Sequence, residues 1–215
     1  MSEMRTTCYT CYRPTELCLC ATIQPIQTET KFVILMHPKE FKKTKNGTGH
    51  LTHLSLPNSQ LYVGDDFTHH NAVNLLINDQ NNLCYVLYPG KKSLPLNAQR
   101  IETQRKQLVI FIIDGTWPCS VKMLRLSHNL QQLPKLSFTH TKISQFQIKE
   151  QPKDFCLSTI ESTLTILELL TAHELERIEE EAFKRFLDPF LAMVAYQIEC
   201  ISRTDQNALR FRTYN

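Results

Sequence analysis

Four cysteines stand close together in "CYTCYRPTELCLC", as Cys8, Cys11, Cys18 and Cys20. Their C-x2-C-x6-C-x-C spacing lets two close pairs converge from a short loop on one tetrahedral ion, and four thiolates suit zinc. A disulfide framework is disfavoured in a reducing compartment, and so few apolar residues need a metal to hold a fold. The alternative is a thioredoxin-like redox pair at Cys8 and Cys11, but that motif follows a strand and opens a helix, which "RTTCYTCYRP" does not resemble. Cys84, Cys119, Cys156 and Cys200 are scattered and read as small buried hydrophobes.

A second centre is "QLVIFIIDGTWPCSVKML", where an apolar run from Leu108 to Ile113 ends on Asp114, Gly115, Thr116 and the single tryptophan, Trp117. A carboxylate at the carboxyl end of a buried strand faces the crevice where open α/β sheets collect ligands. Thr116 is placed to cap the helix that follows, Pro118 suits its first turn, and the N–H groups there can hold an anion. The alternative is that Asp114 only supports the turn. In "LSTIES", Ser158 and Glu161 have the spacing of a capping box, which by itself explains the pair. "LYPGKK" ends a strand at Pro89-Gly90, where glycine permits close approach of backbone to a ligand. None of the five glycines forms G-x-G-x-x-G or a P-loop, so an ordinary nucleotide fold is disfavoured.

The elements that must position these residues follow from periodicity. Strands are expected at Phe32–Met36, Leu61–Val63, Leu83–Tyr88 and Leu108–Ile113, with helices at Asn71–Ile77 and Pro118–Leu130. The polar run after His37 reads as a long loop and then a short helix. Helical spacing resumes at Ser158, and a last helical segment over Leu175–Cys200 should kink or split at Pro189. Alternating strands and helices give an α/β fold. A zinc-binding element over residues 1–22 is followed by a linker around Ala21–Thr30 and one α/β domain over residues 30–215.

A length of 215 residues with 42% hydrophobic and 21% charged content is ordinary for a globular domain. No apolar run is long enough to span a membrane, and "MSEMRTTC" lacks the layout of a signal peptide, so a cytoplasmic location is expected. The net charge of +3 hides blocks of opposite sign. Residues 91–149 hold ten Lys/Arg against Glu102 and Asp114, a sum of +8, whereas residues 150–199 hold eleven acids against four bases, a sum of −7. Such polarity fits a polyanionic partner on the basic side and an acidic helical face away from it.

In order along nearly the whole chain, the cysteine cluster, "HPKEFKKTKNGTGHL", "LYPG", "IDGTWPCSVKML" and "LSTIE" resemble the DTW-domain proteins. The resemblance implies a tRNA-uridine 3-amino-3-carboxypropyltransferase with a SPOUT-like, knotted α/β sheet flanked by helices. It implies transfer from S-adenosylmethionine to ring nitrogen 3 of a uridine in the D-loop or variable loop, with release of methylthioadenosine. Asp114 is then the candidate general base for the uridine N–H. Leu87, Tyr88, Pro89, Gly90, Gly115, Thr116, Trp117, Ser158, Thr159 and Glu161 would surround the donor. His37, Lys39, Lys42, Lys43, Lys45 and Asn46 would line the tRNA side. The chain departs from many relatives at Lys149, where they carry arginine, which affects bidentate recognition. Two other functions fit the same residues: a SPOUT-type methyltransferase, and a zinc-dependent RNA-binding module without catalysis.

Overall fold

The structure, a computed structural model, describes residues 6–42, 47–141, 143–146 and 157–203. The two most continuous apolar runs become its central strands, β1 (Lys31–Met36) and β5 (Gln107–Asp114). A parallel strand with helices over both faces buries every side chain, which is why these runs do not alternate with polar residues. β5 pairs with β1 from Lys31↔Val109 to Met36↔Asp114, and with β3 (Asn82–Leu87) from Asn82↔Gln107 to Leu87↔Ile112. β2 (Ser59–Val63) extends the sheet beyond β1, and β6 (Lys135–Ser137) and β4 (Leu94–Pro95) extend it beyond β3. The result is a six-stranded parallel sheet in the order β2-β1-β5-β3-β6-β4.

Side-chain alternation along β5 sorts the core into two layers. Leu108, Ile110 and Ile112 face α2 (Thr48–Ser55), α6 (Thr159–Ala172), α7 (Glu180–Phe186) and α8 (Asp188–Arg203), packing with Leu51, Ile160, Leu167 and Phe190. Val109 and Phe111 face α3 (Asn71–Asn78), α4 (Trp117–Leu126) and α5 (His128–Gln131), where Val73, Met123 and Leu130 cover them. Asp114 shares the parity of the first set, so its side chain leaves the sheet on the α2/α6 side. From β1 the chain passes through α1 (Pro38–Phe41) to α2 on that face, whereas from the adjacent β5 it passes to α4 on the other. Parallel neighbours whose connections part in this way leave a crevice outside their carboxyl ends.

Several expectations are corrected. The polar run after His37 holds two helices, α1 and α2, rather than a long loop and one helix. The helix expected over Pro118–Leu130 is broken at Ser127 (φ −83°, ψ 85°), a buried residue whose hydroxyl accepts the Phe67 N–H at 3.0 Å. That long-range bond holds the chain out of helical geometry. The segment expected over Leu175–Cys200 becomes helical only at Glu180 and divides at Leu187. Pro189 lies in the first turn of α8, where a missing N–H removes no helical bond. β4 and β6 add to the four strands expected, and Cys156 lies outside the described residues. Among the described residues no helix is long and apolar enough to cross a membrane.

Candidate active site and metal centre

Asp114 closes β5 with its carboxylate buried, 6% exposed. Thr159, the first residue of α6, donates its hydroxyl to Oδ1 in a short hydrogen bond. Gly49, in the first turn of α2, comes so near that a Cβ there would lie 2.3 Å from Oδ2. The carboxylate therefore sits between the N-terminal turns of two helices, whose dipoles favour an anion. Chemically this is a clamp joining β5, α2 and α6, and it turns the acid away from α4.

The turn after Asp114 has a different character. His37 N–H donates to the Asp114 carbonyl at 2.8 Å, extending the β1–β5 ladder by one step. Thr116 occupies the N-cap position of α4, yet its side chain makes no capping bond, contrary to expectation. Trp117 is half exposed and stacks on Tyr88, with ring centroids 5.6 Å apart and planes 14° from parallel. Burial pushes the Tyr88 phenol up from its ordinary value. Leu87 ends β3, and Pro89 and Gly90 are exposed beyond it. A Cβ at Gly90 would meet nothing within 4 Å among the described residues, none of which demands glycine there. Tyr88 and Trp117 together form an aromatic surface, open to solvent, at the ends of neighbouring strands.

Ser158, Thr159 and Glu161 serve the clamp and the helix start. The buried Glu161 carboxylate accepts from Ser158 N–H at 2.8 Å, Ser158 Oγ at 2.6 Å, Ser144 Oγ at 2.8 Å and Gln145 N–H at 2.7 Å. The capping box is present, and two more donors tie residues 144 and 145 to it. With four donors from the chain itself, Glu161 is engaged as a cap and tether.

His37 is buried and caps α1, its Nδ1 accepting the Lys39 N–H at 3.1 Å, which is a structural role. Lys39 and Lys42 are exposed. Lys43, Lys45, Asn46 and Lys149 lie outside the described residues.

The cysteine element fits a metal. The Sγ atoms of Cys8, Cys11, Cys18 and Cys20 all lie within 4.8 Å of one another. Cys8 to Cys20 is 3.7 Å and Cys11 to Cys18 is 3.8 Å. A tetrahedron with zinc–sulfur bonds of about 2.3 Å has edges of about 3.8 Å. The local chain is shaped for this: Cys8 N–H donates to Arg13 C=O and Tyr12 N–H to Cys8 C=O, both at 2.8 Å, with Tyr12 at φ 55°. Backbone N–H groups of Cys11 and Thr10 pull the Cys8 thiol down to about 6, whereas burial pushes the Cys20 thiol up, so the fit to a metal rests on the geometry. Arg13, 7% exposed, reaches from this element to α8, its Nη2 lying 3.4 Å from Met193 Sδ. Burial pushes its guanidinium down, while the Cys11 and Cys18 sulfurs pull it up.

A shallow cleft, open to solvent, lies where the cysteine element meets α1 and α2, its enclosed part about 10 Å³, room for a single water. Tyr12, Arg13, Glu40, Phe41 and His50 are among its walls. His50 Nε2 lies 3.0 Å from the Thr10 carbonyl, tying α2 to the element. Glu40 Oε1 is buried there and has no hydrogen-bond partner among the described residues. In sequence Glu40 stands among lysines with nothing local to mark it; the fold brings residues 11–13 and α2 to the same cleft.

Comparison with known families matches residues 5–198 to the DTW domain. The chain is 29% identical over 203 residues to the tRNA-uridine aminocarboxypropyltransferase 2 of Mus musculus, covering 92% of this chain and 65% of that protein. It is 28% identical over 200 residues to the Drosophila melanogaster protein of the same name, covering 91% and 76%. The Macaca fascicularis protein of that name gives 29% over 203 residues, again 92% and 65%. The chain thus spans just under two thirds of the length of the mouse and macaque relatives. No solved structure matches it.

Proposed function

Since the chain belongs to the DTW-domain family, we propose that it is a tRNA-uridine aminocarboxypropyltransferase, moving the 3-amino-3-carboxypropyl group of S-adenosylmethionine to ring nitrogen 3 of a tRNA uridine. The main support is that relatives bearing this activity in their names align over 91–92% of the chain. The same reading includes a SPOUT-like relation, a cytoplasmic location and a tRNA partner. For the first of these, the support is a parallel sheet covered on both faces, in which β5 fills the place between β1 and β3.

The donor belongs, on this proposal, at the carboxyl ends of β3 and β5. Tyr88 and Trp117 present a flat aromatic surface that suits adenine, and the start of α4, without a side-chain cap at Thr116, suits a carboxylate. When bound, the sulfonium supplies an activated carbon next to sulfur. Which of its carbons is attacked depends on orientation, so Leu87–Gly90 and Gly115–Trp117 act by placing the methionyl chain toward the uridine. Asp114 acts as a positioning residue: held by Thr159 and packed on Gly49, it fixes the end of β5 against α2 and α6. Cys8, Cys11, Cys18 and Cys20 hold structural zinc. Exposed Lys39 and Lys42, together with Lys43, Lys45 and Asn46, meet tRNA phosphates.

The test is incubation of the protein with unfractionated tRNA and S-adenosylmethionine, followed by mass analysis of the nucleosides and of the by-product. Aminocarboxypropyluridine and methylthioadenosine are expected. Methyluridine with S-adenosylhomocysteine would make it a methyltransferase, and absence of heat on titration with S-adenosylmethionine would leave an RNA-binding module.

A further inference from the structure

Resting on the transferase reading, we propose that the uracil ring stacks at the mouth of the cleft between the cysteine element and α1 with its N3 edge directed inward, and that Glu40 accepts its N3 proton. Uracil offers a flat face and an edge on which a single donor, N3–H, lies between two carbonyl oxygens. The rim offers a counterpart to the face and Glu40 one to the edge. Tyr12 and Phe41 stand at its rim 47% and 43% exposed, their rings edge to face with centroids 6.5 Å apart, and His50 lies 5.1 Å from Tyr12. Aromatic rings left open to water at a cleft are surfaces on which a base can stack. Inside the same cleft, the buried Glu40 Oε1 has no partner among the described residues. A buried carboxylate oxygen without a donor is costly unless a ligand brings one, and N3–H is such a donor.

The position suits transfer from a donor held on Tyr88 and Trp117. Glu40 follows the end of β1, while the aromatic surface follows β3 and β5, and β1 and β3 flank β5. The cleft lies on the α2 side of the sheet and the aromatic surface on the α4 side, so the donor has to reach across the carboxyl end of β5 between them. Asp114 abuts the same first turn of α2 through Gly49, where it is already bound by Thr159. The step balances as follows. The N3 proton passes to Glu40 Oε1, N3 forms a bond to the methylene carbon attached to sulfur, and the carbon–sulfur bond breaks with its electron pair going to sulfur. Sulfonium and carboxylate both end neutral.

Single-turnover transfer by Glu40→Gln, at saturating tRNA and S-adenosylmethionine, should fall by about 10²–10⁴-fold with the thermal melt and tRNA binding unchanged. Transcripts carrying 5-fluorouridine, whose N3–H is more acidic, should recover much of that loss. A folded Glu40→Gln variant at the wild-type rate, or an equal loss on both transcripts, overturns the role of Glu40. A second measurement needs no variant. Photo-crosslinking of wild-type protein to tRNA with 4-thiouridine at the modified position should mark Tyr12 or Phe41, and marking confined to Tyr88 and Trp117 overturns the cleft. Wild-type protein that yields no methylthioadenosine with any tRNA sinks the transferase reading itself, whereas an active wild type with an equally active Glu40→Gln sinks only this inference.

Discussion

A methyl group at Gly49 would lie 2.3 Å from the Asp114 carboxylate, well inside contact distance, and neither side has room to yield. The carboxylate is bound by Thr159 and the glycine is part of α2. Gly49→Ala should therefore lower stability by about 1–3 kcal/mol in urea unfolding, the usual cost of overpacking. Gly90→Ala, with open space around it, should stay within about 0.5 kcal/mol. Asp114→Asn keeps the size but places an amide between two helix starts that favour an anion. It should lower the melting temperature and donor affinity together, while the folded, saturated fraction turns over near the wild-type rate. A loss of about 10²–10⁴-fold in a stable, fully bound variant would instead make Asp114 the base. The sequence located Asp114 because strand ends are local, but its direction depends on which face carries α6, a tertiary fact. Gly49 and Glu40 had no local signal, since their meaning comes from residues far away in the chain.

The start of α6 shows what local reading can and cannot reach. The Ser158–Glu161 capping box was legible because its partners are three residues apart, but the two further donors come from Ser144 and Gln145. Ser158→Ala should cost about 0.5–2 kcal/mol, as caps do. Glu161→Ala should cost more, with faster amide exchange at Gln145, because it frees the tether as well as the cap. β4 and β6, of two and three residues, are too short to carry a period and form only because β3 offers an edge. On α2, both His50 and His53 are held below their ordinary values. Burial is the chief cause for each, followed by Arg13 for His50, against a raising bond from Thr10, and by His50 for His53. The unfolded chain then binds more protons than the folded one as pH falls below about 6.5, so stability present above that value is lost through the folded-state values. Melts from about pH 7.5 to pH 5 should show this decline, and the double variant His50→Gln, His53→Gln should show a shallower one.

At the scale of the molecule, the blocks of charge acquire a different meaning. Glu161 and Glu176 belong to the acidic stretch yet are buried, and Glu176 accepts the N–H groups of Glu29 and Thr30 at 2.9 and 2.6 Å. They pin segments together rather than form an outer face. The cysteine element is joined to the body through Arg13 on α8 and Thr10 on α2, so its effects should divide. Cys11→Ser, or a strong chelator, should release metal and open the Glu40 cleft, abolishing transfer to tRNA. Calorimetric titration should show S-adenosylmethionine still bound at the β3 and β5 ends; loss of that binding too would mean the metal supports the whole sheet. The contact between Arg13 and Met193 also sets an order of events during synthesis. The cysteines leave the ribosome early and can take up their ion at once, but the helix they rest on follows 180 residues later. At translation speeds of about 5–20 residues per second, that is a wait of roughly 10–40 s. For that interval the knuckle hangs from an unfinished chain, and Arg13 finds its seat only when α8 emerges.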